Sequence, residues 1–146
     1  MGLIHSSLTL FSTKMTCQKV LPITTADFQA KAVSNTTRSV VVLVYSGKAP
    51  TFGGVDYCQH MDDVETELEK PEHSADKLSF DLYAANIDVD GMGWQNKFNI
   101  TSAPLVRIYK KTANPKVAKA PHDIYGVSTA NVSDVLTTLK TVLANI

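Results

Sequence analysis

The sequence predicts an α/β fold in which a central mixed β-sheet carries helices on both faces, and three stretches predict it. Residues 39–45, SVVVLVY, form a continuous β-branched and apolar run without alternation, which suits a strand buried on both faces. Residues 57–70 and 131–143 place apolar side chains at helical spacing, so each offers one buried stripe. Residues 82–111 read as a strand, a short helix or turn, a proline-initiated turn and a second strand. Strands and helices interleaved in this way build a layered α/β sheet.

Composition narrows the class. A chain of 146 residues holds one ordinary domain. With 44% hydrophobic and 19% charged residues, it can bury a core. Its formal net charge is zero, which argues against general nucleic-acid binding, because that needs a clustered basic surface. No apolar run approaches a membrane span. The two cysteines, Cys17 and Cys58, lie far apart without metal-ligand spacing. Neither a zinc site nor a disulfide scaffold is expected from them, and no cofactor is expected.

Residues 1–18 read as an extension or targeting segment, and residues 19–146 as the domain. No acidic residue precedes Asp27. A hydroxyl-rich, acid-poor start suits a mitochondrial address, although such segments are usually Arg-rich and this one has no arginine. Met1-Gly2 opens a loose N-myristoylation pattern. A secretory signal needs a continuous apolar core, which Ser6, Ser7 and Thr9 interrupt. A mitochondrial location is the expectation, with cytoplasm and ER lumen as alternatives.

Along the domain, residues 19–23 suit a short strand, and Thr24 or Thr25 would cap a helix that buries Phe28, Ala32 and Val33 before decaying at residues 34–37. Residues 46–55 are a loop of breakers. Asp56 and Gln59 then have capping-box spacing. The helix they start runs to about Lys70, where Pro71 stops it. It would bury Tyr57, Met61, Val64 and Leu68, and turn Asp62, Asp63, Glu65, Glu67 and Glu69 to solvent. His60 is expected to be exposed or to act as a cap partner. Strands are expected over 82–88, 105–110 and 122–127, and a short helix over 93–98 with Trp94 packed beneath it. The final helix carries Val132, Val135, Leu136, Leu139, Val142 and Leu143 on one stripe.

Ile100 to Pro104 is the informative segment. An apolar anchor and two small polar residues precede an X-Pro bond, directly before a strand. Proline cannot donate to a sheet ladder and is tolerated at a strand's first residue. The X-Pro bond can also take the cis form there, and cis is expected for Ala103–Pro104. This block and the strand–helix order around it resemble the thioredoxin superfamily over residues 19–146. The resemblance implies a thioredoxin fold in which a cis-proline loop faces the active-site helix. It also implies where a Cys-x-x-Cys pair would sit, and residues 55–61 there read Val-Asp-Tyr-Cys-Gln-His-Met. If Cys58 matches the first cysteine, Met61 replaces the second. If it matches the second, Val55 replaces the nucleophile, and the apolar stripe favours this register. No dithiol motif remains in either case. The buried acid that the superfamily keeps in the preceding strand falls on Val44 in this alignment, and the tryptophan before the motif is missing. The run Asn99 to Pro104 also resembles the thioredoxin-like subunit of the oligosaccharyltransferase, which carries membrane spans absent here.

The resemblance implies a redox-inactive thioredoxin-fold protein that binds a partner polypeptide, or serves as a scaffold subunit of a larger complex. Its groove would lie between Ser102-Ala103-Pro104 and the loop over residues 47–57, lined by Val55, Tyr57, Cys58, Ser102, Ala103 and Pro104. The alternative is a monothiol thiol–disulfide oxidoreductase in which Cys58, near a helix N-terminus, is the reactive group. The expected partner is a protein or peptide, with no nucleic acid, membrane span, metal or cofactor, and nothing in the sequence sets the oligomeric state.

Overall fold

The computed structural model describes residues 19–34, 38–47, 57–73, 80–111, 121–125 and 132–145. Five strands form one sheet: β1 (Leu21–Pro22), β2 (Ser39–Tyr45), β3 (Phe80–Asn86), β4 (Leu105–Tyr109) and β5 (His122–Tyr125), in the order β1-β3-β2-β4-β5. β1, β3 and β2 run parallel, whereas β4 and β5 are antiparallel to their neighbours. Among the described residues three α-helices accompany them: α1 (Tyr57–Leu68), α2 (Gly91–Phe98) and α3 (Val132–Asn145).

β2 decides the layering. Its side chains alternate faces with period two, and every residue from Val40 to Tyr45 is buried. Val41, Leu43 and Tyr45 enter one core, with Met61, Val64 and Leu68 of α1 and Val135, Leu136 and Leu139 of α3. Val40, Val42 and Val44 enter the other, with Phe28, Trp94, Ile100 and Tyr109. The continuous apolar run in the sequence therefore feeds two cores at once.

The helix expected after residue 24 is reduced to a π-helical turn, Gln29–Val33. The Ser34 amide bonds back to the Gln29 carbonyl at 2.8 Å, and the Gln29 amide group donates to the Ser34 hydroxyl, which ends the turn. β3 starts two residues earlier than expected, because Phe80 pairs with Ser39. Ile87 and Asp88 are then released to a turn in which the Asp88 carboxylate accepts from the Ser46 hydroxyl and the Gly47 amide. α2 starts two residues earlier than expected because Asp90, at φ 55°, accepts from the Gly93 amide and caps it. At its other end Asn99 (φ 55°) donates to the Gln95 carbonyl, the single bond of an αL close, and the Ile100 amide donates to the Trp94 carbonyl. That turn aims Ile100 into the second core. The segment over 1–18, the ends of the last strand at 126–127 and the start of the last helix lie outside the described residues.

Candidate functional site

The sheet register brings the two sequence-predicted halves of the site to one end of the sheet. Leu105, the first residue of β4, pairs with Val44 near the end of β2, so Pro104 sits where β2 runs out. α1 begins at Tyr57 and carries Cys58 in its first turn. From β2 the Tyr45 hydroxyl reaches Cys58, at 3.5 Å from Sγ.

Cys58 is only 7% exposed and packs in the α1 core with Met61, Val64 and Leu68. Cys58 is also disulfide-bonded, although the spacing of the two cysteines predicts no disulfide scaffold. A disulfide sulfur carries no proton, so the Tyr45 hydroxyl is the donor in their contact. The chain's other cysteine, Cys17, lies outside the described residues.

Three further residues sit differently from expectation. His60 is buried rather than exposed, and its Nε2 has no hydrogen-bond partner among the described residues. Burial holds its imidazole below the ordinary histidine range, opposed by the nearby Asp63 carboxylate. Asp62, expected on the solvent face, is buried and accepts from the main-chain amides of Lys19 and Val20 at 2.9 and 3.1 Å. A charge run on a helix carries no sign of which carboxylate a distant segment will cover. Val44 does not face Cys58 but packs in the Trp94 core on the opposite side of the sheet. Period-two alternation gives that position to Tyr45, so a tyrosine hydroxyl addresses the cysteine sulfur from β2.

On the other half of the site Ser102 is exposed, while Ala103 and Pro104 are half-buried. The Ala103–Pro104 peptide is cis. Ile100 anchors the segment in the core. No main-chain hydrogen bond joins Thr101, Ser102 or Ala103 to another described residue. Val55 and Asp56 lie outside the described residues, and of Tyr57 only the main chain is described. Among the described residues no cluster of histidine, cysteine and carboxylate side chains could hold a metal ion. No described helix is long and apolar enough to cross a membrane.

One residue that sequence reasoning missed is Arg107, buried in the middle of β4. It bonds Asp123 and also donates to the Phe98 and Asn99 carbonyls at the C-terminal end of α2, where a cation complements the helix dipole. Burial pushes its pKa down, but the hydrogen bond and charge of Asp123 outweigh this and leave it raised. The one available signal was a lone arginine inside the strand LVRIY.

No protein-family model matches the chain, and no curated protein matches it. Solved structures do. The Trx4 domain of ERdj5 superposes with a TM-score of 0.62 at 12% identity, over 88% of this chain and 99% of that domain. The chain spans 18% of full-length ERdj5. Chloroplastic thioredoxin z, whose structure defines a type-specific target recognition, matches with a TM-score of 0.57 at 13% identity, over 89% of this chain and 99% of its own. Thioredoxin f2 of Chlamydomonas reinhardtii matches at 0.55 and 16% identity, over 84% and 94%.

Proposed function

Starting from the thioredoxin fold of this chain, we propose that it binds a partner polypeptide as an extended strand and does not run the dithiol chemistry of a Cys-x-x-Cys pair. The observation that carries this reading is the main chain of Ser102 and Ala103, which bonds no other described residue's main chain and lies beside the first residue of β4. Unpaired amides and carbonyls next to a sheet can accept a peptide by strand addition. Target recognition on the same fold is described for thioredoxin z. The missing chemistry supports it from the other side: Val55 or Met61, according to the register, takes the place of the pair's other cysteine, and Met61 is fully buried.

The test has two arms. Peptides selected against the chain should protect the Ser102 and Ala103 amides from hydrogen exchange, and Ala103→Glu should abolish their binding. Protection confined to other segments would refute the groove. The unmodified protein should not reduce insulin with a thiol donor. Val55→Cys should create that activity if Cys58 stands in the second register, and Met61→Cys if it stands in the first. Insulin reduction by the unmodified protein would refute the redox-inactive reading.

A second reading is favoured by the disulfide at Cys58. Once reduced, a thiol in the first turn of α1 could act alone in mixed-disulfide exchange. An alkylation rate of the reduced protein measured against pH separates the readings, since a Cys58 pKa near the ordinary ~8.5 leaves the monothiol enzyme without an activated nucleophile. We propose a mitochondrial location from the acid-free first 18 residues. Fractionation with cytosol or ER would overturn it.

A further inference from the structure

We propose that the cavity outside the carboxyl ends of β1, β2 and β3 is a binding site for a small uncharged compound, one ring in size, that carries a carbonyl acceptor. The site does not rest on the peptide-groove reading. Ser102, Ala103 and Pro104 flank β2 on the side of β4. The cavity opens on the side of β3 and β1, and none of those three residues lines it. Topology explains its place. β2 and β3 are adjacent and parallel. The chain leaves β2 for α1, whose Met61, Val64 and Leu68 lie in the first core, and leaves β3 for α2, whose Trp94 lies in the second. Connections that part to opposite faces open a crevice outside the carboxyl ends of the strands, which is where open α/β sheets take ligands.

Size and wall chemistry select the ligand. The volume is about 170 Å³, against roughly 150 Å³ for an engineered apolar cavity that holds benzene. Ile23, Tyr45, Ala84 and Trp94, all buried, form the walls, and Val89, 52% exposed, stands at the rim. A ring placed among them leaves water for apolar surface. One wall residue is an amide. Asn86 Oδ1 accepts from the Asp88 amide at 2.9 Å, while its Nδ2 is buried with no hydrogen-bond partner among the described residues. A buried donor left unpaired is costly, so a carbonyl oxygen entering beside Asn86 is favoured. Charge narrows the class further. The Asp90 carboxylate also lines the cavity, with its oxygens taken by the Thr25 hydroxyl and the Gly93 amide. An anion there meets like charge, and a cation would leave water for apolar walls without a free carboxylate oxygen to receive it.

The experiment titrates benzamide, a single ring with a neutral amide carbonyl, into the full chain. Trp94 emission and nitrogen–proton correlation spectra follow the binding. Benzamide should bind saturably, changing Trp94 emission and moving the Trp94 indole signal and the main-chain amides of Ala84 and Asn86. Benzoate keeps the ring and replaces the neutral head by an anionic one, and it should bind the unmodified protein about tenfold more weakly. Asn86→Asp keeps an acceptor for the Asp88 amide and removes the Nδ2 donor. It should weaken benzamide about tenfold while far-UV dichroism shows the fold retained. The benzamide and benzoate pair tests the site on the unmodified protein whether or not the variant folds. Shifts that rise without saturation would overturn the proposal, as would a benzoate affinity equal to that of benzamide. So would undiminished binding to a folded Asn86→Asp variant. Perturbations centred on Ser102 and Ala103 would also overturn it, and would leave the groove reading standing.

Discussion

Arg107 and Asp123 face each other across the antiparallel strands β4 and β5, and the guanidinium grips the carboxylate at two points, Nε to Oδ1 at 2.7 Å and Nη2 to Oδ2 at 2.9 Å. Two parallel charge-assisted bonds fix geometry as well as energy. The same guanidinium also holds the end of α2, so one side chain ties an edge strand to the helix that positions Ile100.

Arg107→Ala should therefore destabilise the domain by about 2–4 kcal/mol, below the ~3–5 kcal/mol of a fully buried pair because Asp123 is partly exposed. Arg107→Lys should recover less than half of this, because an ammonium cannot reproduce the fork. Urea unfolding of the three proteins gives the comparison. An Arg107→Lys variant as stable as the parent would refute the bidentate account.

His60 sets a pH response with a definite sign. Its folded pKa is lowered by burial, so below the unfolded value of about 6.5 the unfolded chain binds the proton more readily. Stability from this residue is constant above that value. It falls as pH drops from there toward the folded pKa. His60→Gln should flatten the fall between pH 7.5 and 5.5, measured as urea midpoints. Parallel profiles for the two proteins would rule the contribution out.

Phe28 is fully buried and touches three aromatic rings, with centroids at 5.2 Å from Trp94, 4.4 Å from Phe98 and 5.8 Å from Tyr109. Phe28→Ala should cost about 3–5 kcal/mol. It should also red-shift Trp94 emission in the folded state as water enters the vacated space. Phe28→Leu should cost distinctly less.

Asn99 holds φ at 55° to close α2. Glycine meets no side-chain penalty there, so Asn99→Gly should stabilise the domain by a few tenths to about 1 kcal/mol. Asn99→Val should destabilise it by more than that. Thermal unfolding distinguishes the two directions.

What was legible in the sequence follows from how local each signal is. β2 announced itself because six consecutive buried side chains leave no room for a polar one, and the stripe of α1 came through at Met61, Val64 and Leu68. The helix after Thr25 was overestimated, because the residues around Ser34 bond locally instead of continuing it. Asp62, His60 and Arg107 were misread or missed for one shared reason. Each is polar in sequence and buried in the fold, and for Asp62 and Arg107 the partners lie in segments that only the fold brings near. The burial of Asp62 depends on Lys19 and Val20, 43 and 42 positions away. Cys58 itself was found by its place near a helix start, but its bonded state carries no local signature.

Trp94 is the chain's single tryptophan, and it lies 1% exposed in the core that takes the even-numbered residues of β2. Cys58 and α1 lie in the other core. Intrinsic fluorescence therefore reports on one storey of the building and is blind to the storey that holds the disulfide. A titration followed by tryptophan emission alone would register a loosened α1 as silence. Read beside far-UV dichroism, which sees both storeys, the same titration would tell whether the sheet's two sides let go together.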